Sequence, residues 1–299
     1  MRRWHVALAA VSLLLMFVSA CSEKARTTAL PAPAKPPFPV NFDPKNFDRS
    51  STTIDNEWWP LKPGTQLTWE GHAIDGEDVI ARRIVFTVTD LTKEIGGVRT
   101  LVGWDRDFNN GKLSEGELIF LAQDNAGNVW HFGQYAEQYD DEGHFEGGSA
   151  WLAGYLDGAK AGILMQANPT LGKPAYSEGF APPPFFWDDV ARVARIGQKT
   201  CVKAGCYSDV MVIEESEPTK PNAFQLKYYA RGVGSVRTGW RGSGEEEQET
   251  LELIKVVQLT PAELSAARAE ALKLETRASL FGKTSPSAPI PQGSASPSA

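Results

Sequence analysis

Residues 100–121 read Thr-Leu-Val-Gly-Trp-Asp-Arg-Asp-Phe-Asn-Asn-Gly-Lys-Leu-Ser-Glu-Gly-Glu-Leu-Ile-Phe-Leu. Two runs rich in β-branched and aromatic side chains, Thr100 to Trp104 and Glu117 to Leu121, flank Asn110-Gly111. A two-residue hairpin needs positive φ at both central positions, and Asn-Gly meets that need at little steric cost. The stretch is expected to form an antiparallel hairpin, and the chain around it repeats the pattern. Gln66 to Glu70, Ile84 to Thr89, Tyr207 to Glu214, Ala223 to Ala230, Val233 to Arg241 and Glu249 to Gln258 are further strand candidates. Asp75-Gly76, Gly96-Gly97, Ala126-Gly127, Glu142-Gly143 and Ala204-Gly205 supply turns between them. No helical pattern alternates with the strands, which argues against a parallel α/β sheet. The expected fold is mainly β, a curved antiparallel sheet or open barrel over residues 41–258.

One helix is signalled, within residues 259–282. Thr260-Pro261-Ala262-Glu263 offers a capping hydroxyl, proline at the first helical position and a glutamate three residues after the cap. The helix should run from Pro261 to about Leu280. Leu264, Ala267, Ala271, Leu274 and Ala278 recur at helical spacing but are mostly small, so weak docking is expected, with a partner-binding helix as the alternative. Lys283 to Ala299 is almost wholly Ser, Pro, Ala and Gly and is expected to be disordered.

The N-terminus has another character. Arg2 and Arg3 precede an apolar run from Val6 to Val18, too short to span a bilayer, which needs ~20 residues. Val18-Ser19-Ala20-Cys21 closes that run and resembles the cleavage site of bacterial lipoprotein signal peptides. The resemblance implies a leader at 1–20, diacylglycerol on the Cys21 thiol, and acylation of the amine freed by cleavage. It further implies a membrane anchor, and outer-membrane export in a Gram-negative host because Ser22 follows the cysteine. Residues 21–40 carry Pro31, Pro33, Pro36, Pro37 and Pro39 and read as a semi-extended tether.

Composition excludes some roles. The 299-residue chain has 30 Lys plus Arg against 37 Asp plus Glu. Loss of Arg2 and Arg3 with the leader takes the net charge from −7 to about −9. An acidic chain lacks the basic face that phosphate contacts require, so nucleic acid is not an expected partner. Cys201 and Cys206 are the cysteines left once Cys21 is acylated. In an oxidising envelope compartment they are expected to form a disulfide across a hairpin end. Their spacing is not that of a redox pair or a zinc site.

No catalytic residues, metal site or cofactor are assigned. Asp105-Arg106-Asp107 begins like a calcium loop, but its glycine arrives late and Gly116 stands where a bidentate glutamate belongs, so a hairpin is expected instead. After the leader the histidines are His72, His131 and His144, without a nucleophile motif. His131 should be a half-exposed strand residue facing away from Trp130 and Phe132. Asp124, Glu137 and Asp157 are the carboxylates from which a glycosidase pair could come, if two stood at the required separation. Aromatic content is more suggestive. Trp58-Trp59 and Phe185-Phe186-Trp187 are consecutive, so strand alternation cannot bury them all on one face. Trp58, Trp59, Trp130, Phe186 and Trp187 are the candidate lining of an apolar ligand groove.

Several segments resemble a family of secreted or lipid-anchored β-rich bacterial proteins without an assigned activity. They are Ile54-Asp55-Asn56 with Pro60 to Thr65, Ala122-Gln123-Asp124 with Gly127 to Trp130 and Phe132-Gly133, Asp157-Gly158-Ala159 with Gly162-Ile163 and Met165, and Tyr228-Tyr229-Ala230 with Gly232 to Gly234. The resemblance implies a curved sheet and carries over no functional residues. The leading expectation is a non-enzymatic, lipid-anchored envelope protein that binds a small apolar or amphiphilic ligand, or an envelope partner. The alternatives are an envelope hydrolase acting on glycan or ester, and a structural or assembly lipoprotein. Cys21→Ala should move the protein from the membrane to the soluble fraction on cell fractionation; persistent membrane association would count against the anchor.

Overall fold

The computed structural model describes residues 41–155, 158–183, 185–278 and 284–291. The leader, Cys21 and the tether therefore lie outside the described residues, as does Asp157. The hairpin at 100–121 is present: β3 (Val98–Asn109) and β4 (Lys112–Gln123) pair antiparallel, with Asn109 opposite Lys112. Asn110 and Gly111 have φ of 49° and 82°, the positive values that a tight turn requires.

Around that hairpin the strands add by the same short connections. Before it come β1 (Thr65–Asp75) and β2 (Asp78–Ile95); after it come β5 (Val129–Tyr139), β6 (Phe145–Leu152) and β7 (Lys160–Met165). Two very short strands, β8 (Tyr176–Ser177) and β9 (Gly179–Phe180), lead to β10 (Val190–Val202), β11 (Gly205–Ser216), β12 (Phe224–Ala230), β13 (Gly234–Arg241) and β14 (Thr250–Gln258). The helix α1 (Pro261–Arg277) and β15 (Ala288–Pro289) complete the order. All belong to one antiparallel sheet in which β14 pairs with β1, so the first and last long strands lie side by side at its middle. Cys201 and Cys206 stand opposite each other at the β10–β11 hairpin end and form a disulfide.

Both faces of the sheet are covered, each for a different reason. On the concave side, Leu67, Phe86, Ile119, Leu121, Met211, Ile213 and Leu253 pack on one another as the sheet curls over itself. On the convex side, Trp104, Leu118, Phe120, Trp130 and Phe132 lie under α1 and under Phe42 and Phe47. Each large apolar side chain so buried contributes ~1.5–3 kcal/mol.

The helix starts as expected: Thr260 Oγ1 accepts from Glu263 N, while Thr260 N donates to Glu263 Oε2 at 2.8 Å. It ends at Arg277. Its docking is firm rather than weak, because charges supply what small side chains do not. Lys93 Nζ meets Glu275 Oε1 at 2.6 Å in a buried pair, Arg268 engages Asp90, and Arg277 grips Glu137 with two 2.6 Å hydrogen bonds. Such two-pronged pairs fix geometry as well as adding energy. The chain after the helix also departs from expectation. Residues 284–291 are held rather than free: Ser287 N donates to Glu275, and Ala288–Pro289 pairs with Leu91 and Thr92 of β2. A composition rich in Ser and Pro does not prevent ordering where a neighbouring strand supplies hydrogen-bond partners.

The two outer ends of the sheet meet through one short segment. Tyr176–Ser177 pairs with β10, and Gly179–Phe180 pairs with β7. Glu178 alone separates them, so residues 176–180 form a strap across the gap while no ladder joins β7 directly to β10 among the described residues. The sheet is thus curved and open, with a bridged seam. Gly162 makes the seam possible, since a Cβ there would lie 2.0 Å from Gly179 N and 2.4 Å from Glu178 C. Gly162→Ala is expected to lower stability in urea unfolding by about 1–3 kcal/mol, the usual cost of overpacking. Gly147→Ala, where a Cβ meets nothing within 4 Å, should change it little.

Candidate functional site

The concave face holds a partly open cavity of about 150 Å³ beside the strap. Its apolar wall comes from Trp59, Trp69, Phe86, Ile119, Leu164 and Trp187. Its polar wall comes from Asp105 on β3, His131 and Gln134 on β5, Glu178 on the strap, and Glu215 and Lys227 on β11 and β12. Strand alternation explains this mixture. Asp105 shares its face with Leu101, and on β4 Ile119 shares its face with Glu117, so one side of the hairpin runs from apolar to acidic along its length.

His131 faces away from Trp130 and Phe132, but it is fully buried rather than half-exposed, because the curl of the sheet encloses its second face as well. Its Nδ1 lies 3.3 Å from the Glu178 carbonyl oxygen. A carbonyl only accepts, so Nδ1 carries the proton and Nε2 offers a lone pair. Burial holds the imidazole pKa down to about 3, so the ring is neutral. The ring also packs edge-on against Trp151 and Trp187, at centroid distances of 4.8 and 5.3 Å.

Carboxyl groups on this face are crowded. Asp105 stands directly opposite Glu117, and Asp107 opposite Glu115, four acids on two paired strands. Arg82 binds Asp107 and Glu249, both at 3.0 Å, and Gln138 donates to Glu115. Among the described residues Asp105 and Glu117 form no salt bridge. Burial, followed by the charge of Asp107, pushes Asp105 up to about 8. Burial and then Glu115 likewise raise Glu117, whose two carboxyl oxygens lack hydrogen-bond partners among the described residues. On the opposite wall, Lys227 pairs with Glu215 at 2.9 Å. Glu178 is raised well above the usual carboxylate range by burial and then by Glu215.

The aromatic residues singled out from sequence separate here. Trp59 and Trp187 line the cavity. Trp58 is buried in the concave core with the Arg231 guanidinium 4.0 Å over its ring. Trp130 lies on the convex face, its indole donating to Asp124, and Phe186 is exposed. Neither pair lies in a strand: Trp59 N donates back to the Asn56 carbonyl in a turn, and Phe186 has a positive φ of 49°, so the local backbone sends neighbouring rings apart. Asp105, Glu178, Gln134, Trp69 and the cavity-facing role of His131 were not anticipated. The one signal available was the acid-x-acid spacing of Asp105-Arg106-Asp107 and Glu115-Gly116-Glu117, which alternation places on a single face.

Of the carboxylates considered for glycoside hydrolysis, Asp124 and Glu137 are engaged elsewhere, and Asp157 lies outside the described residues. Asp124 closes its own turn, accepting from Ala126 N, Asn128 N, Asn128 Nδ2 and Trp130 Nε1. Glu137 accepts from Tyr135, Tyr139 and Arg277 under the helix. The exposed group Asp140, Glu142 and His144 is a turn in which Asp140 already caps Glu142 N and His144 N.

No family model matches this chain, and no curated protein matches it. Among solved structures, the chain is similar to a candidate exported protein with a YmcC-like fold from Bacteroides fragilis, at 13% identity and a TM-score of 0.36. It is also similar to a candidate lipoprotein from Parabacteroides distasonis, at 11% identity and a TM-score of 0.36. Each alignment covers 68% of this chain and 99% of the other. Similarity at this level transfers neither activity nor ligand.

Asp105 gives the site a pH signature. The unfolded chain ionises it near pH ~4 and the folded protein near pH 8, so the folded state holds the extra proton in between. Its contribution to stability is therefore full below about pH 4 and is lost as pH rises through about 8. Asp105→Asn should exceed the native protein in urea unfolding by about 1–3 kcal/mol at pH 8.5 and converge with it near pH 4. An equal gain at both pH values would show that ionisation of Asp105 is not its cause.

Proposed function

We propose that the protein is a lipid-anchored, non-enzymatic component of the bacterial envelope that holds a small amphiphilic ligand inside its curved sheet. The interior cavity carries this reading. Its wall is aromatic and aliphatic on one side and acidic or hydrogen-bonding on the other, the usual make-up of a small-molecule site. Its size matches cavities that hold a benzene-sized molecule. The small volume beside the strap favours a small ligand over a protein partner, which would need a broad surface. The anchor rests on the leader and Cys21: the acyl chains would hold the protein in membrane lipid, and the tether would set the domain off from it, on the periplasmic side of the outer membrane in a Gram-negative host.

Two alternatives have less support. The hydrolase reading drew on Asp124, Glu137 and Asp157; the first two are held by turn and helix contacts, and the third lies outside the described residues. The assembly reading drew on α1, whose apolar side is spent on the sheet. Ligand occupancy is tested on mature protein purified in mild detergent. Native mass spectrometry should show a retained small molecule, or a panel of small amphiphiles should shift tryptophan emission in the native protein and less in Trp187→Phe. No added mass and no shift across the panel would end the ligand reading.

A further inference from the structure

Four buried polar atoms on the cavity wall have no hydrogen-bond partner among the described residues. They are His131 Nε2, Gln134 Oε1, Glu178 Oε1 and Trp187 Nε1. His131 and Glu178 are 0% and 2% exposed, so bulk solvent scarcely reaches them. An unsatisfied group of this kind costs ~1–3 kcal/mol, so four around one cavity call for a polar partner there. The chemistry of the set is asymmetric. Gln134 Oε1 accepts, and His131 Nε2 accepts because its other nitrogen donates to the Glu178 carbonyl. Glu178 Oε1 accepts when ionised. Trp187 alone must donate.

The charges point the same way. Of the five acids on the cavity wall, Glu215 has Lys227, Glu249 has Arg82, and Asp189 is engaged as well. Among the described residues Asp105 and Glu178 form no salt bridge; Lys227, already paired with Glu215, acts on Glu178 only from a distance, and Asp105 accepts a backbone hydrogen bond from Arg106 N. Trp59, Trp69 and Trp187 stand in the same wall, and the negative faces of indole rings attract cations.

We propose that the cavity binds an organic cation, an ammonium or related group on a small apolar body, with Glu178 and Asp105 as its counter-charges and Gln134 and His131 as its hydrogen-bond acceptors. This rests on the reading of the cavity as a ligand site and names the ligand class. The raised carboxyls fit it: an acid buried without a partner stays protonated, and a bound cation supplies the charge that lets it ionise. The apolar body occupies the space between Trp59, Phe86 and Leu164, and the charged end turns toward the strap.

The test compares three probes with one aromatic body, 2-phenylethylammonium, 2-phenylethanol and 3-phenylpropanoate, by calorimetry on the native mature protein at pH 7. The ammonium should bind at least tenfold more tightly than the alcohol, and the carboxylate should not bind measurably. Glu178→Gln should reduce the ammonium preference to threefold or less while the alcohol binds as before. If Glu178→Gln does not fold, Asp105→Asn takes its place with the same expectation. Equal binding of ammonium and alcohol, or an unchanged preference in the variant, overturns the cation assignment and leaves the ligand site standing. Binding of none of the three overturns both.

Discussion

The structure depends on the meeting of two sheet ends across residues 176–180. A twisted antiparallel sheet of this many strands must curl, split or flatten. Here it curls until its ends come within reach, and a five-residue strap pairs with β10 through Tyr176–Ser177 and with β7 through Gly179–Phe180. The approach is so close that any side chain at residue 162 would collide with the strap backbone. The seam converts the concave face from an open trough into an enclosed interior. That enclosure buries His131, neutralises its ring, and strands the carboxyls of Asp105 and Glu178 away from water.

The interior is consequently divided in its energetics. Leu67, Phe86, Met211 and Leu253 gain from burial in the ordinary way. Asp105, Glu117 and Glu178 do not, because burial without a partner disfavours their charged form. A sheet that only needed stability would not place two pairs of acids directly opposite each other across β3 and β4. The convex face shows how the same protein treats acids whose role is structural: Glu137 and Glu275 each receive a cation and further hydrogen bonds. The contrast between these satisfied acids and the unpaired Asp105, Glu117 and Glu178 inside is the main physical argument that the interior serves binding.

Much of the fold was legible because its signals are local. Asn110-Gly111 fixes a hairpin through backbone sterics alone, and Thr260 to Glu263 fixes a helix start through its own hydrogen bonds. Other elements were not legible. The strand β10 carries Arg192, Arg195, Lys199 and Gly197 and is irregular along its pairing with β11, so no clean alternation marks it. Ala288–Pro289 becomes a strand only because β2 offers it partners. The strap is five residues long, and nothing in Tyr-Ser-Glu-Gly-Phe says that its two halves pair with opposite ends of one sheet.

By itself the sequence determined the β class, the turns, the helix cap and the cysteine pair, all of which depend on neighbours within a few residues. It also placed Asp105 and Asp107 on one side of a strand, since alternation is a property of the backbone. Only the tertiary structure decided which side became an interior, and with it which tryptophans met around a cavity, which acids lost their solvent and which histidine lost its charge. Those outcomes depend on the distance between two sheet ends far apart in the chain, and that distance is set by accumulated twist and by the missing side chain at Gly162.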